Sequence, residues 1–431
     1  MVQYIRFLSI KLNKVLSKQL HIFVICCALS FYFQSTHILA EDGLDLSNKT
    51  HSWIDDINWH GFLSQNFVAT DENDFLGSSS NGSFKSNEAA LNASWRANES
   101  LQFSLQGLYK QIGNAKPKGT RIDYAIVDWR ALDTFSHGAG VRLGRLKNPY
   151  GFFNETRDVA ATNMSILLAE SIYIDYLSQL FHSSDGAGFY SHNESNYGTY
   201  SFNVQVGRPI LNDQITSTLV GNPNTEGDIS NELGGFARLA FEDGAGLWRA
   251  ALSFIHFEGD FSPAASDPAY LTEGTITIEQ LLLSLELNLD KWQFVTEIQR
   301  RNTEAKNITI FNPEIFEKGL GYYFQVAYSV SPAWKVYLRR DEMFRNKGDK
   351  NGKQYLADIK AINPFTETQA HEAFAKDTTL GFRYSPSFEW SYAMEVHQID
   401  GTGWLPNIEN PDIAGQKRYW NMFLAQVAYR F

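Results

Sequence analysis

Trp420-Asn421-Met422-Phe423-Leu424-Ala425-Gln426-Val427-Ala428-Tyr429-Arg430-Phe431 closes the sequence. Counting back from Phe431, positions 429, 427, 425 and 423 are Tyr, Val, Ala and Phe, while 430, 428 and 426 are Arg, Ala and Gln. One side is apolar and aromatic-tipped and the other mostly polar, at the period of two that a β-strand imposes. In a soluble protein the apolar side would pack on a second layer. Here it runs to an aromatic final residue, the pattern of a lipid-facing strand that closes an outer-membrane β-barrel.

The first forty residues fit export. They carry Arg6, Lys11, Lys14 and Lys18 and no acid, then an apolar run from Leu20 to Phe33, then a polar-to-small stretch ending at Ala40. That is the layout of a signal peptide, with cleavage expected after Ala40. Both cysteines, Cys26 and Cys27, fall inside it, so the remainder has no thiol, disulfide or Cys-based metal site. The whole chain is −11 and the leader +4, leaving −15, a balance that argues against nucleic acid as a partner. No later stretch approaches the ~18 consecutive apolar residues of a transmembrane helix.

Working back from the C-terminus gives a regular series of alternating segments. Strands in one direction are expected near 61–70, 101–109, 138–146, 199–208, 247–257, 292–301, 334–344 and 388–398. Strands in the other are expected near 87–96, 121–130, 183–190, 232–241, 277–288, 319–329, 378–384 and 418–431. Most are close to the ~9–11 residues that a tilted membrane strand needs. The connections alternate between short turns and long loops. The expected fold is therefore all-β: an antiparallel up-and-down barrel of about 16 strands, with short periplasmic turns and long extracellular loops. Residues 41–57 form a short periplasmic lead, 58–431 the barrel, and 147–182 the longest loop. Facing follows from parity: Leu101, Phe103, Leu105 and Tyr109 toward lipid, with Gln102, Ser104 and Gln106 toward the lumen. Trp59, Trp129, Trp292, Trp334 and Trp420 are expected in an interfacial girdle.

The same parity places charges on the inner wall. The basic ones are Arg96, Arg130, Arg142, Arg238, Arg249, Arg301, Lys335, Arg339, Arg383 and Arg430. The acidic ones are Asp128, Glu286, Glu297, Asp341, Glu389 and Glu395. More bases than acids on the wall predicts a channel that leans weakly to anions.

The run Gly144-Arg145-Leu146-Lys147-Asn148-Pro149-Tyr150-Gly151, the loop that follows it and the terminal Phe431 resemble Gram-negative outer-membrane porins, including the phosphate-selective-porin-like group. The likeness spans the part after the leader at the level of architecture. It implies that the loop 147–182 folds inward as a constriction, with Glu155, Arg157 and Asp158 at the eyelet. It further implies that Phe431 is read by the barrel assembly machinery, and that the barrel is a homotrimer set in outer-membrane lipid and lipopolysaccharide. The function expected is passive diffusion of small hydrophilic solutes and ions. A substrate-specific channel for phosphate, a sugar or a siderophore is the alternative; a barrel hydrolase and a receptor or adhesin barrel are more remote.

No enzyme, cofactor or metal is expected. His182-Ser183-Ser184-Asp185 gathers the residue types of a catalytic triad, but neighbours on a strand point to opposite sides. Asp71-Glu72-Asn73-Asp74 and Asp349-Lys350-Asn351-Gly352 resemble pieces of calcium loops without the full ligand ladder.

Overall fold

The computed structural model describes residues 56–431 except 116–117, 223–224, 231 and 313. The expected signal peptide and nearly all of the lead lie outside the described residues.

Sixteen antiparallel strands close into one barrel: β1 Ile57–Thr70, β2 Ser83–Arg96, β3 Leu101–Ile112, β4 Gly119–Asp133, β5 His137–Lys147, β6 Ser183–Ser195, β7 Gly198–Pro209 and β8 Gly234–Asp243, followed by β9 Trp248–Ser262, β10 Gly274–Leu289, β11 Trp292–Lys306, β12 Glu314–Ser329, β13 Trp334–Phe344, β14 Phe374–Tyr384, β15 Trp390–Gly401 and β16 Tyr419–Arg430. A two-residue segment, Asp228–Ile229, adds to the end of β9. Each strand pairs with its sequence neighbour, and β16 returns to β1 in register from Phe62↔Arg430 to Thr70↔Met422. Closure leaves no sheet edge, the condition for crossing lipid with strands. At the seam Gly61 and Phe431 exchange both main-chain hydrogen bonds, at 3.1 and 3.0 Å. A side chain on Gly61 would collide with the Phe431 ring, 2.4 Å from where its Cβ would stand.

The outer face obeys the expected parity. Along β10, Leu281, Leu283, Leu285, Leu287 and Leu289 are exposed, while the intervening Leu282, Ser284 and Glu286 are buried. At the short-turn end, Trp59, Trp129, Trp248, Trp292 and Trp334 are exposed on the outside. Three of them pair with aromatics on neighbouring strands: Trp334–Tyr384 at 4.4 Å, Trp292–Tyr328 at 4.7 Å and Trp248–Phe241 at 4.8 Å. An amphipathic ring belongs where lipid meets water. Trp420 is not part of it. It is 1% exposed, points inward beside Phe75 and Trp404, and its Nε1 donates to the Gly401 carbonyl. Position 420 shares the inward parity of 426 and 428, and that parity overrides its nearness to a strand end.

Toward the long-loop end the two faces exchange character. On β9 the inward residues become Ile255, Phe257 and Phe261, all buried, and the outward ones His256, Glu258 and Asp260. On β10 Ile276 and Ile278 are inward and Glu279 outward; on β11 Arg300 and Asn302 face out. There the strands have left the lipid, so water meets their outer face and loops cover their inner one. Strands of fifteen or sixteen residues, such as β10 and β12, are longer than a membrane span requires for this reason.

Candidate functional site

The loop between β5 and β6, residues 148–182, is hydrogen-bonded to side chains that point inward from the opposite wall. Gly151 N donates to Ser253 Oγ of β9 (3.0 Å) and Phe152 N to Glu297 Oε1 of β11 (3.1 Å). Ile166 N donates to Glu395 of β15 (2.5 Å) and Ser171 N to Asp341 of β13 (3.3 Å). In the reverse sense, Arg238 donates to the Gly151 carbonyl, Arg339 to that of Leu167 and Arg383 to that of Met164. Wall carboxylates thus take loop N–H groups, and wall guanidinium groups meet loop carbonyls. Charge-assisted hydrogen bonds of this kind are stronger than neutral ones, and they satisfy main-chain groups of a segment with little regular structure.

Sequence explains the path. Asn148 locks the two roots together: its side chain donates to the Phe181 carbonyl and accepts from Ser184 and Gln205. Asn154 Nδ2 adds bonds to the carbonyls of Asn148 and Phe181. Gly151 then turns with φ +57°, where a Cβ would stand 2.1 Å from the Tyr173 hydroxyl. Beyond it Glu297, fully buried, accepts from Tyr173 and Tyr323 (2.9 Å each) and from Ser284 (2.5 Å). Burial beside that carboxylate holds the Tyr173 phenol well above its ordinary pKa.

The near wall holds a charged cluster. Asp158 of the loop meets Lys110 (3.0 Å), Lys147 (3.5 Å) and His182 Nε2 (2.7 Å). Asp123 meets Lys147 (3.1 Å) and His182 (3.2 Å), and Glu88 meets Lys110 (2.5 Å). Burial alone would raise the Asp158 carboxyl, but the charges of His182, Lys110 and Lys147 hold it well below the usual carboxylate range. Asp123, Asp158 and His182 are close enough to share a metal ion. Two ammonium groups already occupy the same carboxylates, so these residues form a charge-balanced anchor and are a poor fit for a dication.

The residues singled out in the sequence therefore separate. Glu155 pairs with Arg238 (2.5 Å) at the edge of a cavity of about 230 Å³. Arg157 is buried on Asp175 (2.8 Å) and the Tyr173 carbonyl, and Asp158 is buried in the anchor. Arg157 only borders a small cavity of about 40 Å³, and Asp158 is 1% exposed. On the wall, Glu297, Asp341, Arg339, Arg383 and Glu395 lie beneath the loop as its clamps, all at 5% exposure or less. Parity gave their side correctly but could not reveal what covers them. Arg301 is half-buried on β11 opposite Gly319. Arg96, Arg130, Arg142, Arg249 and Lys335 belong to the short-turn half. Arg130 donates to Gln102 (2.7 Å), Arg142 meets Asp128 (3.1 Å), and Arg249 meets Glu286 (2.6 Å) and stacks on Phe152. Arg430 donates to the Phe388 carbonyl, and Glu389 sits in the turn before β15.

Asp123, Lys110 and Lys147 escaped the sequence reading. Asp123 and Tyr124 both face inward because the β3–β4 register slips by one residue at Gln106/Gly107. The signal available was the broken alternation at Ile122-Asp123-Tyr124-Ala125. Ser184 and Asp185 do point apart, Ser184 to Asn148 and Asp185 to Arg145. Asp71 accepts from the Asn421 N–H of β16, and Asp349 from the nearby Tyr355 N–H.

A cavity of about 280 Å³ remains at the short-turn end beneath the loop, touched by Arg249, Glu286, Lys335, Arg339 and Arg383. The long-loop end is filled differently. There the loop shares one apolar cluster with Ile255, Phe257, Ile276 and Ile278, and a second with Phe75, Trp404, Trp420 and Met422.

No protein-family model and no curated protein matches the sequence. Many solved structures match the fold. A loop-deletion mutant of OmpT, an outer-membrane protein of Vibrio cholerae, is 13% identical with a TM-score of 0.51, covering 87% of this chain and 99% of that one. An anion-selective porin from Comamonas acidovorans is 11% identical at 0.52, covering 87% and 99%. Salmonella typhi OmpF is 11% identical at 0.54, covering 87% and 97%. The protein has the sixteen-stranded barrel fold of Gram-negative outer-membrane porins.

Proposed function

We propose that the protein is a channel for the passive diffusion of small hydrophilic solutes and ions across the outer membrane, narrowed by residues 148–182 and leaning weakly to anions. The observation that carries this reading is the charge around one cavity at the short-turn end, bordered by Arg249, Lys335, Arg339 and Arg383 with Glu286 as the single acid; Lys335 and Arg249 are its accessible cations, while Arg339 and Arg383 are buried beneath the loop. Basic rings favour anions. The loop-end acids Asp71, Glu72 and Asp74 oppose this, but exposed charges are screened beyond ~8–10 Å. The zero-current potential in a potassium chloride gradient tests the sign, and a cation-preferring channel would overturn the anion part. Replacing Phe152–Ser171 by a short Gly-Ser linker should raise single-channel conductance; an unchanged value would remove the loop from the conducting path.

A substrate-specific channel is the second reading, favoured by the apolar filling of the long-loop end. Conductance that saturates at low concentration of one solute would select it. Export by a leader cleaved after Ala40, trimeric assembly, recognition of Phe431 during insertion and the absence of enzymatic turnover complete the proposal. Fold likeness to porins supports them. Cross-linking in native membranes that yields only monomer would remove the trimer. Normal surface levels of Phe431→Ala would remove the assembly role.

A further inference from the structure

The loop between β15 and β16, residues 402–418, turns into the barrel mouth. Trp404, Leu405 and Glu409 are buried, and Trp404 packs on Phe75 (5.0 Å) and Trp420 (5.4 Å) in one cluster with inward Met343 and Met422. Two asparagines tie this loop to the one between β1 and β2. Asn410 accepts from Asp74 N (2.9 Å) and donates to the Asp74 carbonyl (2.7 Å). Asn73 accepts from Lys417 N (2.8 Å) and donates to the Lys417 carbonyl (2.7 Å). Each side-chain amide thus stands in for a strand partner, giving and taking one hydrogen bond.

Glu409 gathers the rest. It accepts from Gly77 N (3.0 Å) of the β1–β2 loop, from Asn114 N (2.7 Å) and Asn114 Nδ2 (2.8 Å) of the β3–β4 loop, and from the Tyr176 hydroxyl (3.0 Å) of the loop 148–182. Four loops therefore meet at one buried carboxylate through neutral donors. Burial, then the charge of Glu409, holds the Tyr176 phenol well above its ordinary pKa, so it remains a donor.

We propose that residues 402–411 form a second, outer constriction in series with the loop 148–182, and that Glu409 is the positioning residue that holds it in place. A buried charge cannot give up one donor cheaply, because the vacated site is dry. Water replaces the donors only when the loops part together, so the mouth has a closed arrangement and an open one. Trp404 supplies the bulk and Glu409 fixes where it sits. Resistances in series add, so relieving one narrowing raises flux until the other limits it. The inference rests on the channel reading for flux, but not for closure of the mouth.

The test uses the whole barrel in planar bilayers and in intact cells. Replacing residues 403–415 by a short Gly-Ser linker should raise single-channel conductance. Glu409→Gln, which turns an amide toward the Asn114 donors, should move it in the same direction. Joining the first change to the Phe152–Ser171 replacement should raise conductance beyond either alone. Closure is read separately by thiol labelling, since the only cysteines, Cys26 and Cys27, lie in the leader. Met343→Cys reports on the cluster around Trp404, and Ile278→Cys on the other apolar cluster. With Glu409→Gln, a membrane-impermeant maleimide added outside should label Met343→Cys about tenfold faster and Ile278→Cys at an unchanged rate, because labelling follows the population of the open form. General loosening would speed both. A conducting parent whose conductance neither loop variant changes, or labelling that is equal at the two positions, would overturn the proposal. No conductance in any form, with selective labelling intact, would sink the channel and spare the outer closure.

Discussion

The two halves of the lumen are built from the same strands at the same parity, yet they do opposite things. In the loop-end half, inward Ile255, Phe257, Ile276, Ile278 and Met422 are buried under loops, and inward charges such as Asp123 and Lys110 are consumed in an anchor. In the turn-end half, Arg142, Arg249 and Lys335 remain accessible and border open space. An inward charge is therefore not a functional charge by position alone. What decides is whether loop main chain has already claimed it.

The sharpest way to break this contrast is in the anchor. Asp158→Asn leaves Lys110 and Lys147 facing one fewer carboxylate, and removing one partner of a buried pair costs on the order of 3–5 kcal/mol. The folded-state Asp158 carboxyl titrates below its unfolded value. Its contribution is therefore present above about pH 4, near the unfolded pKa, and is lost as pH falls further. Urea unfolding of the variant should show a lowered midpoint and weaker acid sensitivity. A midpoint equal to that of the parent protein would mean the anchor is ornamental.

Ile278→Val removes one methyl group from the loop-end packing and should cost about 0.5–1.5 kcal/mol. Leu283→Val, on the lipid face of the same strand, should cost less, because lipid chains refill the space. Equal losses would erase the distinction between packed interior and lipid-facing exterior.

Glu170 sharpens the picture through pH. Burial, then the charge of Asp175, raises its carboxyl well above the ordinary value, and its Oε1 has no partner among the described residues. Below about pH 4.3 both folded and unfolded forms carry the proton. As pH rises, the unfolded chain loses it first and stability declines. Glu170→Gln should abolish that decline, an effect on the order of 1 kcal/mol at neutral pH. Thermal midpoints at pH 4 and pH 8 give the slope, and parallel slopes in the two proteins would count against it.

The smallest expected effect lies in the turn-end half. Lys335→Ala should change stability by no more than about 0.5 kcal/mol while shifting the zero-current potential toward cations. Marked destabilisation would show that this lysine is structural after all.

The number of strands was legible because strict alternation marks most of them, as at Leu281–Leu289 and Phe423–Tyr429, whereas the segments 61–70 and 183–190 are poorly patterned and their registers could not be read. The outer ends of the strands were not legible either. The expected strand 247–257 reaches Ser262 and 319–329 begins at Glu314, since apolar and polar faces trade places where lipid gives way to water. The candidate site was legible only in part. The sign and side of each charge follow from parity, but the partner of Glu297 is a backbone N–H of Phe152, 145 residues away. No side-chain pattern encodes a main-chain contact of that reach. The bulge at Asp123 likewise hid the acid around which the anchor forms.

The Gly61–Phe431 seam has a consequence for how the barrel forms. Fifteen of its interfaces join strands adjacent in sequence and can zip locally, whereas the sixteenth joins the first strand to the last. That pairing spans nearly the whole chain and carries the largest loop-closure entropy. Until Phe431 arrives, β1 offers a row of unpaired N–H and C=O groups, a template for any other strand. Truncation by even one strand at the C-terminus would thus leave a sticky edge, and the expected product is an intermolecular sheet in place of a smaller barrel.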